Sequence, residues 1–451
     1  MARAVGKNAL YTLTAGLSSF AMGLGTGIIT ARWLGPHDRG IFSLISVLPH
    51  TISSLVKLGM AQGSVYAIRR DHADPGAVAG HLLILAIAIS IPVIGVVYVY
   101  KFQAASLLMG GANPLYFLLA LPLIPLLLIE SYFFGVLQAV DHFGIFNRRR
   151  LLAGAGGLIG IFLALVVWHG GLVSAIVVSV GITAALDLWL IATVARICGM
   201  HFRWNGKLAK ELLSFGVKSH LQTVATHMHF RADLYLVAML LNPTDVAFYS
   251  IASRLAEVIL FVPESLGLVV YPKQAGSTKQ VLEDLTASSC RHVTFMTVLL
   301  GVVLMLIGPW LVVSWYGHDY APAGPPLLFV VPGVIMMSLF FMLSRSFTSQ
   351  NRQEINIVAS GVAVGCNVLL NLWLIPRMGI SGAGLSTALS YTLATLILGR
   401  VFLQESGKSL RDLLVIRFDD LALYRRLLTD VLARKPRGAI GQAVLPGGRA
   451  R

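Results

Sequence analysis

Two neighbouring stretches hold most of the ionisable side chains that lie within apolar sequence. The first, 219–241, carries His220, Gln222, Thr223, Thr226, His227, His229, Arg231 and Asp233; the second, 246–272, carries Arg254, Glu257 and Glu264. Each is about twenty residues or more, long enough to cross a bilayer as a helix. Arg254, Glu257, Phe261 and Glu264 step by three, four and three, which puts them on one face. His220, Thr223, His227 and Arg231 form one stripe of the first helix, and Gln222, Thr226, His229 and Asp233 form another. Guanidinium groups bind phosphates and carboxylates through forked hydrogen bonds, and carboxylates can take up protons or cations. At membrane depth such groups are costly and face a bundle interior or a wet cavity. This pair of helices is therefore expected to wall a transport pathway.

Other residue patterns carry less chemistry. The glycines Gly23, Gly25 and Gly27 and the run GAGGLIG at 154–160 resemble phosphate loops only superficially, because no strand precedes them and both lie inside apolar spans. Close helix packing through small residues is the expected reading. His227 and His229 point about 200° apart on a helix and cannot share one metal ion. No Ser-His-Asp set, Walker A motif or zinc spacing occurs, so no cofactor is expected. The charged groups of the two stretches could also form an intramembrane ion-pair network that only holds helices together.

The elements that must position these groups follow from composition. The 451-residue chain is 56% hydrophobic and 12% charged, against roughly a quarter charged in soluble domains, so an all-α integral membrane protein is expected. About twelve transmembrane helices fit, near 9–30, 41–67, 81–100, 114–139, 151–168, 172–195, 214–241, 246–271, 292–315, 325–347, 355–375 and 381–403. The net charge of +15 does not imply nucleic acid, because the basic residues sit between spans and in the tail. Arg69 and Arg70; Arg148, Arg149 and Arg150; Arg196, Arg203, Lys207 and Lys210; Lys273, Lys279 and Arg291; and Arg345 and Arg352 occupy alternate connections. That asymmetry puts both termini of a multi-pass membrane protein in the cytoplasm. Cys198, Cys290 and Cys366 are far apart and imply no disulfide framework. The apolar run 10–30 is too long for a cleaved leader and reads as a retained first span.

The chain also repeats. LGPHDRGIFSL at 34–44 aligns with LNPTDVAFYSI at 241–251, an offset of 207. The turns before spans six and twelve align at nearly the same offset. Two six-helix lobes result, 1–207 and 208–404, related by an axis along the membrane normal with a site between them. The same offset sets His50 on Glu257 and Lys57 on Glu264. Span two carries His50, Ser53, Ser54 and Lys57 on one face. Glu130, Asp187 and Lys218 are further charges within or at the start of spans. Residues 405–451 form a basic tail, in which 409–434 is expected to form an amphipathic membrane-surface helix with Leu421, Tyr424, Leu428 and Val431 toward lipid.

Three segments carry a family resemblance. ARWLGPHDRGIFSL (31–44), RADLYLVAMLLNPTDVAFYSIASRLAE (231–257) and NLWLIPRMGISGAGLSTALSY (371–391) resemble the Wzx-like (O-antigen/polysaccharide) flippases of the multidrug/oligosaccharidyl-lipid/polysaccharide exporter superfamily. The resemblance spans 1–404 in helix order, with Ala247 where the family usually has glycine. It implies two lobes in a V, a cationic central cavity and alternating access. It also implies a lipid-linked (undecaprenyl-diphosphate) oligosaccharide as substrate and no enzyme activity. Membrane lipids, a glycan polymerase and glycosyltransferases are the partners expected on the same basis. Lys57, Lys218, Arg231, Arg254 and His50 would then attract the diphosphate. Asp233 and Glu257 would pair with these cations at rest and, with Glu264, Asp187 and Glu130, serve ion coupling. A multidrug or small-cation antiporter of the same superfamily, or an inert scaffold for glycan assembly, are the other functions considered.

Overall fold

The computed structural model describes residues 2–202, 206–275, 277–417 and Asp420; the side chains of residues 2–13 and of a few later positions, Lys218 among them, lie outside that description. Among the described residues every regular element is helical. The α-helices are α1 (Ala2–Val56), α2 (Met60–Arg69), α3 (Pro75–Val99), α4 (Lys101–Met109), α5 (Leu115–Ala120), α6 (Leu123–Ala139), α7 (Phe143–Phe162) and α8 (Gly171–Cys198), then α9 (Gly206–Leu240), α10 (Pro243–Ala256), α11 (Phe261–Ala275), α12 (Lys279–Tyr316), α13 (Gly324–Ser349), α14 (Gln353–Met378), α15 (Ile380–Ser406) and α16 (Leu410–Leu414).

Ten stretches among the described residues are helical, long and apolar enough to cross a membrane. The first of them, Thr14–Val56, is broken at Gly35, whose φ of 74° and ψ of 171° no helix contains, so it supplies two arms. α9 is 35 residues long, and its stripe of His, Thr, Arg and Asp keeps it out of the apolar set. Counting both arms and α9 gives the twelve spans expected. α3 begins where Asp74 caps the Ala77 amide at 2.7 Å and Pro75 takes the first turn. Leu306, Leu369 and Trp310 stand 67–76% exposed, as side chains that face lipid rather than water do.

Two spans are less regular than expected. Span two was expected to run unbroken through 41–67, but α1 stops at Val56, Leu58 and Gly59 adopt φ of 49° and 65°, and α2 restarts at Met60. The cause is a close approach of backbones. A Cβ on Gly59 would lie 2.0 Å from the Gly216 carbonyl oxygen of α9. Span eight is interrupted by a 3-10 turn, Glu257–Leu260, between α10 and α11.

α1 to α8 build one lobe, with a core around Leu82, Leu128, Tyr132, Phe133 and Leu190. α9 to α15 build the second. A larger apolar cluster joins Ile41, Leu44 and Ile45 of α1 to Val246, Tyr249, Ala252, Tyr316 and Tyr320 of the second lobe. The lobes therefore meet at the end marked by the Gly35 and Leu241 turns. Tyr320 donates to the Ala31 carbonyl at 2.9 Å, and Arg32 donates to the Trp315 and Ser314 carbonyls at 2.8 and 2.7 Å. Ser43 and Ser250, equivalent positions of the repeat, meet hydroxyl to hydroxyl at 3.3 Å. A Cβ on Gly40 would lie 1.7 Å from the Pro243 carbonyl oxygen. A valine at position 40 should therefore prop this end open. In a chain freed of its three cysteines, the test is the maleimide reaction of Ser43→Cys with and without Gly40→Val. Faster labelling with valine is expected, and equal rates would show that the contact is no seal.

Beyond α15, Ser409 and Asp412 form a capping box at α16. Arg291 ties the segment to α12 by donating to the Asp412 carbonyl at 2.9 Å and to Asp420 at 3.1 Å. The expected lipid-facing Leu421, Tyr424, Leu428 and Val431 lie outside the described residues.

Candidate functional site

Away from the sealed end the lobes enclose a cavity of about 930 Å³. Its walls are Val47, His50, Ser54 and Lys57 from α1 and the break that follows it, Gln62 from α2, Thr223, Thr226, His227, Phe230 and Arg231 from α9, Arg254 from α10, and Gln353 from α14. The structure thus brings together His50, Lys57, Arg231 and Arg254 from both lobes. The side chain of Lys218 is outside the described residues. The break after Val56 places Lys57 at a helix end in the cavity wall. No carboxylate pairs with Lys57 among the described residues.

One carboxylate serves both arginines. Glu257, at the start of the 3-10 turn, accepts from Arg231 Nη1 at 3.1 Å through Oε1 and from Arg254 Nη1 at 3.2 Å through Oε2. Arg254 also stacks over Phe20, 4.6 Å from its ring centroid. Two guanidiniums and one carboxylate leave a surplus positive charge, to which Lys57 adds. In a narrow cavity walled by low-dielectric protein, that surplus attracts anions far more strongly than it would in open water. His227 is held through Nε2 by the Thr51 hydroxyl at 2.8 Å, and Tyr235 donates to the same hydroxyl at 2.6 Å.

Asp233 does not pair with the arginines, contrary to expectation. It is 5% exposed and turned into the second lobe, where Tyr249 donates to Oδ2, Thr387 donates to the same oxygen at 2.9 Å, and the Leu234 amide donates to Oδ1 at 2.8 Å. The helical phase explains this, because positions 231 and 233 point about 200° apart. His229 follows Asp233 inward and packs 4.7 Å from the Tyr391 ring.

The remaining acids are also apart from the arginine pair. Asp187 and Glu130 hold Arg149. Its Nε and Nη2 donate to Asp187 Oδ1 at 2.9 and 2.6 Å, and its Nη1 donates to Glu130 at 2.5 Å. Arg149 was expected in a connection as an orienting charge, yet it is 4% exposed inside the first lobe. Glu130 nevertheless lines a side cavity of about 260 Å³ whose walls include His50, Ser54 and Lys57, which also line the main cavity. Glu264 is exposed on α11, within electrostatic range of Arg150 and Arg345.

A second chamber, about 260 Å³, lies between the main cavity and the seal, sharing Val47, Phe230, Arg231 and Arg254 with the cavity. Its walls include Asp233 and Tyr249, and also Arg39, which falls between the first two expected spans, 9–30 and 41–67. The signal was present. Arg39, Ser43, Ser46 and His50 step by four, three and four, which continues the stripe of span two backward.

The chain's relatives are consistent with this architecture. Residues 5–275 match the polysaccharide biosynthesis protein family. Among curated proteins, a probable low-salt glycan biosynthesis flippase, Agl15, of Haloferax volcanii is 21% identical over 81% of this chain and 77% of its own length. A putative O-antigen transporter of Shigella flexneri is 22% identical over 61% of this chain and 66% of its own. Among solved structures, the lipid II flippase MurJ in an inward closed conformation superposes with a TM-score of 0.72 at 16% identity, covering 93% of both chains. An inward-facing multidrug resistance MATE transporter superposes with 0.70 at 15% identity, covering 88% of this chain and 98% of its own. The chain is therefore a membrane transporter of the polysaccharide biosynthesis protein family, built on the V-shaped fold of the multidrug/oligosaccharidyl-lipid/polysaccharide exporters.

Proposed function

We propose that the protein flips a polyprenyl-diphosphate-linked oligosaccharide from the cytoplasmic to the outer leaflet of a bacterial cytoplasmic membrane. One observation carries the substrate class: Lys57, Arg231 and Arg254 converge on one cavity with a single carboxylate, Glu257, between the two arginines. A multidrug site for cations would need the opposite sign. The names of the two curated relatives support the glycan. The alternation of basic connections supports cytoplasmic termini. In that orientation the cavity opens inward and the Gly40–Pro243 contact closes the outer end. The lobes divide at 207/208, and a glycan polymerase and glycosyltransferases are the further partners that this reading implies.

Coupling is assigned to Glu257. A phosphate that takes over both guanidiniums would release Glu257 from its two partners, so substrate binding and the state of this carboxylate are linked. Asp233, held by Tyr249 and Thr387, serves to position α9. The test is flipping of a fluorescent polyprenyl-diphosphate glycan in proteoliposomes, with and without an imposed pH difference. Wild-type protein should flip the glycan but not a lipophilic cation, and the gradient should stimulate it. In Glu257→Gln the stimulation should vanish while basal flipping persists. Wild-type stimulation in that variant would remove Glu257 from coupling, and cation transport without glycan flipping would overturn the substrate class.

A further inference from the structure

The chamber behind the main cavity has two features that the transport reading leaves unused. The first is Arg39. Its Nη1 donates to Ser43 Oγ, its buried Nε has no acceptor, and no carboxylate pairs with it among the described residues. Arg254 lies within electrostatic range and carries the same sign. A guanidinium kept at depth without a counter-charge is costly. The second is the wall opposite. Gly25 packs against Leu158 of α7, as small residues in helix contacts do, but Gly23 and Gly27 do not serve packing. A Cβ on Gly23 would lie 3.6 Å from Arg254 Nη2, and one on Gly27 would lie 3.9 Å from both Arg39 Nη2 and the Tyr316 hydroxyl. These two glycines sit about 6 Å apart along α1. They leave a strip of bare helix beneath the guanidiniums of Arg39, which no carboxylate pairs among the described residues, and of Arg254, whose Nη1 is held by Glu257.

We propose that Arg39, Arg254 and the Gly23/Gly27 strip form a second anion site, which receives the substrate's diphosphate after it leaves Lys57 and before the seal at Gly40 opens. The site extends the flippase reading and rests on it for the source of the diphosphate. The chamber, at about 260 Å³, admits a diphosphate and excludes an attached oligosaccharide, so the glycan stays in the larger cavity. Arginine suits this role because its fork can meet two phosphate oxygens at once.

The test is calorimetric titration of the purified full-length protein with inorganic pyrophosphate, then with a polyprenyl diphosphate in nanodiscs. Arg39→Gln should weaken both ligands about tenfold to a hundredfold, the range expected for a lost charge-assisted hydrogen bond. Gly27→Val keeps every charge but fills the strip, and should weaken both ligands similarly. It carries the test if Arg39→Gln does not yield folded protein. Wild-type affinity in both variants overturns the site. Weakened binding of pyrophosphate with unchanged binding of the lipid overturns its place on the transport path. These titrations do not depend on the glycan. Arg39-dependent binding of both ligands by a protein that flips no glycan would support the site and remove only the glycan.

Discussion

Arg149→Met should remove most of the folded protein from the membrane. Arg149 is the only cation bonded to Glu130 and Asp187 among the described residues, and the Asp187 side chain is wholly buried. Asp187 Oδ2 already lacks a partner. Taking the guanidinium away would leave the wholly buried Asp187 carboxyl group without a counter-charge beside the partly exposed one of Glu130, and breaking a buried pair in this way costs about 3–5 kcal/mol. Against a total stability of about 5–15 kcal/mol, that is enough to deplete the native state. The measurement is the monodisperse yield in detergent and the unfolding midpoint. The triple variant Arg149→Met, Glu130→Gln, Asp187→Asn should recover most of both, because it removes the stranded charges along with their partner. Wild-type yield and midpoint in the single variant would show that the cluster contributes little to stability. The triple variant also decides what the two acids do beyond folding. If its flipping still responds to a pH gradient, Glu130 and Asp187 are structural; if the response is gone, they belong to coupling.

The second large effect is on transport. Arg231→Ala combined with Arg254→Ala should reduce glycan flipping more than about a hundredfold, since each lost charge-assisted contact to phosphate is worth about 1.5–3 kcal/mol. The protein should remain folded, because Glu257, left alone, borders a cavity that water can enter. Lysine at both positions should restore flipping only weakly, as a point charge does not reproduce a fork on phosphate. Initial rates in proteoliposomes, normalised to reconstituted protein, check this. Rates within threefold of wild type in the double alanine variant, about 0.7 kcal/mol, would mean that the arginines only hold α9 and α10 together.

The spans and most of the cavity wall were legible because hydropathy and helical phase are local properties of sequence. Arg254 and Glu257 are one turn apart on one face and do meet. What escaped depends on distant chain or on phase. Arg148, Arg149 and Arg150 look alike as a basic run, but consecutive residues point about 100° apart on a helix. Arg148 lies over Trp189, Arg150 lies against Gly16, and only Arg149 enters the lobe. Asp233 was paired with Arg231 by proximity in sequence, whereas its actual partners, Tyr249 and Thr387, come from α10 and α15. The break after Val56 exists because Gly216, far along the chain, lies against Gly59. No window around residue 59 contains that information.

The short 3-10 turn at Glu257–Leu260 makes span eight a two-part shaft. A 3-10 turn advances about 120° and 2.0 Å per residue, an α-helix about 100° and 1.5 Å. Any state in which these four residues wind as α-helix therefore turns α11 by about 80° and draws it in by about 2 Å relative to α10. α11 cannot make that turn freely. Its Pro263 carbonyl accepts from Arg345 of α13 at 2.5 Å, and a Cβ on its Gly267 would overlap the same guanidinium. Winding the shaft must unhook Arg345. The residue that clasps both cavity arginines thus stands at one end of a torsional joint whose other end is geared to a neighbouring helix through Arg345.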